Sequence, residues 1–210
     1  GSLAAIASGS GRVVVGYDAT QGNGLRGAIT VSGAVEVARP LSLFGQTLNM
    51  TAADTLSASD VQVRMAGDTV VSRLRADSSV AVYSTGGTLR SADASLLNIS
   101  GKTGGAVPLL VVSGRGPAVG SGLPALSASA DSVNVNVPSG GVDRTQLANG
   151  TTRYLGYDAN GRYLVLNVSA GRAQFNPSIY DPQGDSWQQT QLGAGSLAHR
   201  ATPTGSTLLA

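Results

Sequence analysis

Val61-Gln62-Val63-Arg64-Met65 leads through Ala66-Gly67-Asp68 into Thr69 to Arg75, then through Ala76-Asp77-Ser78 into Val80-Ala81-Val82-Tyr83 and Thr85-Gly86-Gly87. This run decides the fold. In its first segment apolar and polar residues alternate strictly, so a strand would put Val61, Val63 and Met65 on one face and Gln62 and Arg64 on the other. Gly, Asp and Ser punctuate each segment, and Leu96-Leu97-Asn98-Ile99 closes the series. Strand centres recur about every ten residues, which is the spacing of an antiparallel sandwich or barrel. The reading is an all-β protein with an antiparallel β-sandwich or jelly-roll-like main domain. The alternative is a parallel β-solenoid, since Gly- and Ser-rich chains also build solenoids. No fixed-period pattern of about 20 residues or more is visible, which ranks it second.

The same texture extends both ways. Upstream, Arg12 to Tyr17, Leu25 to Val37 and Leu41-Ser42-Leu43-Phe44 read as strands. Downstream, Val107 to Val112 and Leu126 to Val137 do so, and Pro138-Ser139-Gly140-Gly141 reads as a boundary. Beyond it, Arg153 to Tyr157 and Gly161 to Leu166 flank Asp158-Ala159-Asn160-Gly161. Asn-Gly between two β runs predicts a hairpin, with both residues in the positive-φ conformation of a type I′ turn. The expected organisation is an N-terminal arm over 1–11, a main β domain over 12–140, a small β-hairpin unit over 141–187 and an extended arm over 188–210. The tetrapeptide Gly16-Tyr17-Asp18-Ala19 returns as Gly156-Tyr157-Asp158-Ala159, which reads as one turn chemistry used twice.

Composition narrows the chemistry. Charged residues are only 12% of the 210, against roughly 25% in ordinary soluble domains. All 12 acidic residues but Glu36 are Asp, and all 14 basic residues but Lys102 are Arg. The scarcity of Glu and Lys, both good helix formers, argues against a mainly helical protein. With no Cys and one His, thiol chemistry, Cys-ligated metals and a multi-histidine site within the chain are excluded. Net charge is +2 without a dense basic patch, so no nucleic acid is expected as a partner. No apolar run approaches the roughly 18 residues of a membrane span, so no membrane insertion is expected. Gly1 to Ala7 has no basic n-region and does not read as a signal peptide.

Candidate sites are few. Gly22-Asn23-Gly24-Leu25-Arg26-Gly27 fits the dinucleotide pattern G-x-G-x-x-G. That pattern needs a helix behind it to hold pyrophosphate, and Ala28-Ile29-Thr30-Val31 is β-type, so no cofactor is expected. A serine nucleophile would need His199 as its base, and His199 lies in the C-terminal arm. Asp18, Asp68, Asp77, Asp158 and Asp181 stand in turn contexts, where Asp holds its own backbone. A small Asp-based sugar-cleaving pair is the one enzymatic reading left. No metal site is expected. The sequons at Asn49, Asn98, Asn149 and Asn167 matter only in a secreted eukaryotic protein. A contact surface is the stronger prospect. If the central strands pair as a meander, Arg64, Arg73, Arg75 and Arg90 share one solvent face. Tyr154, Tyr157, Tyr163, Phe175, Tyr180 and Trp187 gather after residue 150, as a small core or as a surface for partners or sugars.

The Gly-, Ser-, Thr-, Ala- and Val-rich β runs, the near absence of Lys and Glu and the arm-like ends resemble the virion proteins of tailed bacteriophages, both head-decoration (cement) proteins and tail-fibre or spike domains. The likeness spans the chain and is one of composition, so it carries over no functional residue. It implies a non-enzymatic structural protein of the virion. Such a protein forms a homo-oligomer, a trimer or a lattice, and works through contacts with other virion proteins or with a host surface glycan. On this reading Gln188–Ala210 packs along a neighbouring chain. The alternative is a bacterial surface adhesin, or a fibre that binds or cleaves polysaccharide.

Overall fold

A computed structural model describes residues 11–16, 27–117, 121–161 and 163–169, together with the backbone of four strands between 178 and 209. The chain is all β, and it winds as a parallel β-solenoid of about five turns. The strands are β1 (Val13–Val15), β2 (Ala28–Thr30), β3 (Ala34–Glu36), β4 (Leu41–Gly45), β5 (Thr47–Asn49), β6 (Thr55–Met65), β7 (Thr69–Val71), β8 (Arg73–Ser91), β9 (Ile99–Gly101), β10 (Val107–Arg115) and β11 (Leu126–Asn136). They stack as three walls. The first wall carries β1, β4 and the later parts of β6, β8, β10 and β11. The second carries β3, the early parts of β6 and β8, then β9 and the start of β11. The third carries β2, β5, β7 and the end of β8.

Parallel in-register stacking aligns like positions about 4.8 Å apart, so each inward position becomes a column. Val13, Leu41, Val61, Val80, Leu110 and Val133 form one column of the first wall, and Val15, Leu43, Val63, Val82, Val112 and Val135 form the next. The second wall contributes Val35, Leu56, Leu74, Ile99 and Ala128. Leu56, Val61, Leu74, Val80, Ile99 and Leu110 are fully buried, within one apolar core. Each such side chain contributes roughly 1.5–3 kcal/mol relative to exposure. Where two walls converge the column shrinks to Ala58, Ala76 and Gly101.

The sandwich expectation is therefore overturned in favour of the solenoid. Segments 61–65 and 69–75 do not pair with each other; the residues stacked on Val61 are Leu41 and Val80. Ala76-Asp77-Ser78 is a corner within β8, where two residues face one of β6 and the chain goes on to the next wall. Alternation looked the same in both folds, because it records only which side of a strand is apolar. The repeat was hidden by its irregularity. The first column takes residues 13, 41, 61, 80, 110 and 133, since some corners are two residues and others are loops such as 92–98.

After β11 the chain turns at Val137–Gly140, where the Gly140 amide donates to the Val137 carbonyl and Ser139 has φ 58°. Then β12 (Gly140–Gln146), β13 (Thr151–Asp158) and β14 (Tyr163–Ser169) form an antiparallel meander. The hairpin expected at 158–161 is present, with Tyr157 opposite Tyr163. Its turn is not type I′. Gly161 alone has positive φ, 68°, and its amide donates to the Asp158 carbonyl, as in a type I turn followed by a left-handed glycine. A second Asn-Gly turn at Asn149-Gly150 joins β12 to β13, with Gly150 at φ 82°. β14 lies parallel on β11, so the meander continues the main 14-stranded sheet and shares its core. Two separate hairpins follow: β15 (Ser178–Asp181) with β16 (Ser186–Gln189), and β17 (Ala198–Thr202) with β18 (Gly205–Leu209). The expected extended arm over 188–210 thus contains a paired hairpin. Residues 1–10 of the N-terminal arm, residues 17–19 of the tetrapeptide echo and residues 22–26 of the glycine pattern lie outside the described residues. Gly27 leads into β2, the β continuation expected there.

Candidate contact surface

Polar side chains of the coils bond mainly from one coil to the next. Asn98, fully buried, is the densest case. Its Nδ2 donates to the carbonyls of Val71 (3.3 Å) and Ser72 (3.0 Å) and to Ser91 Oγ (2.7 Å), and its Oδ1 accepts from the Ser127 amide (2.9 Å). One amide therefore joins three successive turns of the coil. It also removes Asn98 as a glycosylation acceptor, since its nitrogen faces the interior. Asp54, also buried, accepts from the Gly33 amide (2.7 Å) and from the amide (2.5 Å) and hydroxyl (2.8 Å) of Thr51. The Thr51 amide, then its hydroxyl, then the Gly33 amide hold the Asp54 carboxyl below the ordinary aspartate range.

The turn aspartates divide. Asp158 holds its own turn, accepting from the Asn160 amide at 2.9 Å. Asp68 instead accepts from the amide and hydroxyl of Thr88, one coil on, and Asp77 pairs with Lys102 at 3.1 Å. Asp60 bonds to Ser79 and pairs with Arg12 at 2.7 Å. Asp93, not singled out by the sequence, holds Ser95 through its amide and hydroxyl, and these bonds lower its carboxyl's pKa. Asp18 and the side chain of Asp181 lie outside the described residues. Among the described residues no three His, Cys, Asp or Glu side chains gather as a metal site would require.

The expected arginine face is dispersed, because the strands stack in parallel rather than as a meander. Arg64 lies on the first wall, Arg73 and Arg75 on the second and Arg90 on the third. Arg73 Nη1 donates to the Ala52 carbonyl at 2.6 Å. Arg75 Nη1 donates to the carbonyls of Leu74 and Asn98, and its Nη2 to that of Leu97. Burial, then the charge of Arg73, lowers the Arg75 pKa. These two arginines clamp turns of the backbone. Arg64 differs. The register sets it between Phe44 and Tyr83, all three outward and half-buried, so the column alternates ring, guanidinium, ring, the order that favours cation–π stacking.

The aromatics after 150 also divide. Tyr154 is buried in the core, where burial raises its pKa to about 12 against the opposing charge and hydrogen bond of Arg144. That is the core reading, and it removes Tyr154 from any contact surface. Tyr157 and Tyr163 stand opposite each other on the outer side of the meander; on the same side the pair Leu155–Val165 separates them from Arg153, whose Nε donates to Asn167 Oδ1 (3.1 Å). Trp187 is on β16 opposite Tyr180, and His199 on β17 opposite Leu208. Their side chains, and Phe175, lie outside the described residues. Sequence reasoning missed the roles of Asn98 and Arg115, whose partners are distant in sequence. Arg115 Nε lies 3.0 Å from Asp158 Oδ2, too poorly aligned for a hydrogen bond, and the contact is an ion pair. Among the described residues no helix is long and apolar enough to cross a membrane. Comparison with protein-family models, curated proteins and solved structures finds no match to this chain.

Proposed function

We propose that the chain is a structural module of a virion fibre or spike, a β-solenoid segment acting through contacts with copies of itself and with neighbouring virion proteins. One observation carries this reading. The interior is a closed apolar stack, and the polar side chains of the coils are committed to coil-to-coil bonds rather than converging on one reacting point. A surface so built works by shape and by its outward rows. Two such rows are available: Phe44, Arg64 and Tyr83 on the first wall, and Tyr157 with Tyr163 on the meander. Aromatic and arginine side chains are favoured anchors of protein contacts. The test is sedimentation velocity of the full chain and of a chain lacking Gln188–Ala210. The full chain should form a homo-oligomer, and the shortened chain should stay folded and fail to assemble. A full chain that remains monomeric at high concentration, or a shortened one that assembles normally, overturns the proposal.

The outward Tyr157–Tyr163 pair, with Arg153 and Asn167 further along the same face, favours a second reading, a bacterial surface or host-recognition fibre that binds polysaccharide, because flat rings on a face that also carries hydrogen-bonding groups suit an extended sugar chain. Glycan-array binding that is lost in Tyr157→Ala/Tyr163→Ala would support it. A silent array and unchanged polysaccharide size would remove it.

A further inference from the structure

We propose that the β12–β14 meander is a built-in stop, with β14 taking the place that the first coil of a second copy would take, so that the chain does not stack end to end on itself. The argument starts from one column. Val35, Leu56, Leu74, Ile99 and Ala128 come from successive coils, and the sixth position is filled by Val168 of β14, which runs parallel to β11 as a true coil strand would. A valine thus ends the column on both sides. An open parallel edge offers its amides and carbonyls to any passing strand, and a second copy's β3 has the direction and the inward valine that β11 accepts. β14 satisfies that edge from within the chain, over Leu126↔Leu166 to Ser129↔Ser169.

Beyond β14 the pairing becomes antiparallel, which breaks the coil pattern. The last strand of the sheet, β12, lies against β17 of the last hairpin rather than against a further coil, and it carries Asp143 and Arg144 at its middle, residues unsuited to a coil's inward apolar column. The stop is also fastened. The Asp158 side chain, 1% exposed, pairs with Arg115 of the coil, whose Nη2 donates to the Pro138 carbonyl at 3.4 Å. Ser169 Oγ donates to the Ala128 carbonyl at 3.3 Å. Gly116 lies so close to β14 that a Cβ there would collide with the backbone of Tyr163 and Leu164. Leu164, Leu166, Val168, Tyr154 and Val142 belong to the same core as the coils.

The test uses the full chain and two loosening substitutions, Asp158→Arg, which opposes two cations, and Val168→Asp, which acts without the ion pair. Hydrogen exchange over 151–169 should quicken at least roughly tenfold, and sedimentation should show concentration-dependent higher species absent from the wild type. The joint can be identified because the chain has no cysteine. Glu36 and Ser129 occupy the same register position at the two ends of the second wall. They are four strand spacings, roughly 19 Å, apart within one copy, too far for an internal disulfide. In a Glu36→Cys/Ser129→Cys chain, oxidation should give a ladder of cross-linked copies only when a loosening substitution is added. Faster exchange over 151–169 with no higher species and no ladder overturns the proposal, as does a ladder in the capped chain. Unchanged exchange in both loosened chains overturns the fastening.

Discussion

Asn98 holds together segments that are far apart in sequence: 71–72, 91 and 127. Its deletion takes the partner from the Ser72 carbonyl and the Ser127 amide, at about 1–3 kcal/mol for each orphaned group, whereas the Val71 carbonyl keeps the Ala92 amide. Asn98→Ala should therefore cost about 3 kcal/mol or more, read as a lower midpoint in urea denaturation at unchanged slope. Asp54 sets an acid limit. Its carboxyl is held below the ordinary value, so the folded state binds fewer protons there than the unfolded chain. The stabilisation is complete above the unfolded aspartate pKa of about 3.9 and is lost as pH falls through the lower folded value. Thermal melts from neutral to strongly acid pH should show Asp54→Asn less stable than wild type at neutral pH, with the difference shrinking as the acid limb is descended.

At the scale of the strand, what matters is whether a residue faces in or out. Leu74 is fully buried between Leu56 and Ile99, whereas Val14, its neighbours Val13 and Val15 turned inward, is 48% exposed. Leu74→Ala should lose about 2–5 kcal/mol, and Val14→Ala should stay within about 0.5 kcal/mol; chemical denaturation of both measures the contrast. The alternation along 61–65 already named Val61, Val63 and Met65 as inward, and all three are fully buried. What alternation could not give was the partner of each strand. The same pattern serves a meander and a coil, so Arg64 and Arg73, expected on one face, lie on different walls.

Across the whole molecule, each coil touches mainly the coils beside it, so stability is close to a sum of neighbour terms. Coils with neighbours on both sides should be the last to open. Native-state hydrogen exchange should show the strongest protection in β6, β8 and β10, and weaker protection in β1 to β3, which pair on one side with a single strand among the described residues. Uniform exchange from end to end would instead mark one all-or-none unit. The C-terminal meander is the exception to the gradient, since Asp158, Arg115 and a shared core bind it to the last coils.

The residues by themselves determined the β class, the positions of most strands, the inward set on each, and the two Asn-Gly turns, of which one was recognised as a hairpin. These are local properties, fixed by side-chain period and by the few residues that accept a left-handed backbone. They also determined that thiol and multi-histidine chemistry has no place in this chain. Only the tertiary structure decided that the strands stack in parallel, that the arginines disperse over three walls, that Tyr154 is core while Tyr157 and Tyr163 face outward, and that Asn98 and Arg115 act at a distance. Those facts depend on which segments lie 4.8 Å apart. With corners ranging from two residues to long loops, no fixed period in the sequence marks them.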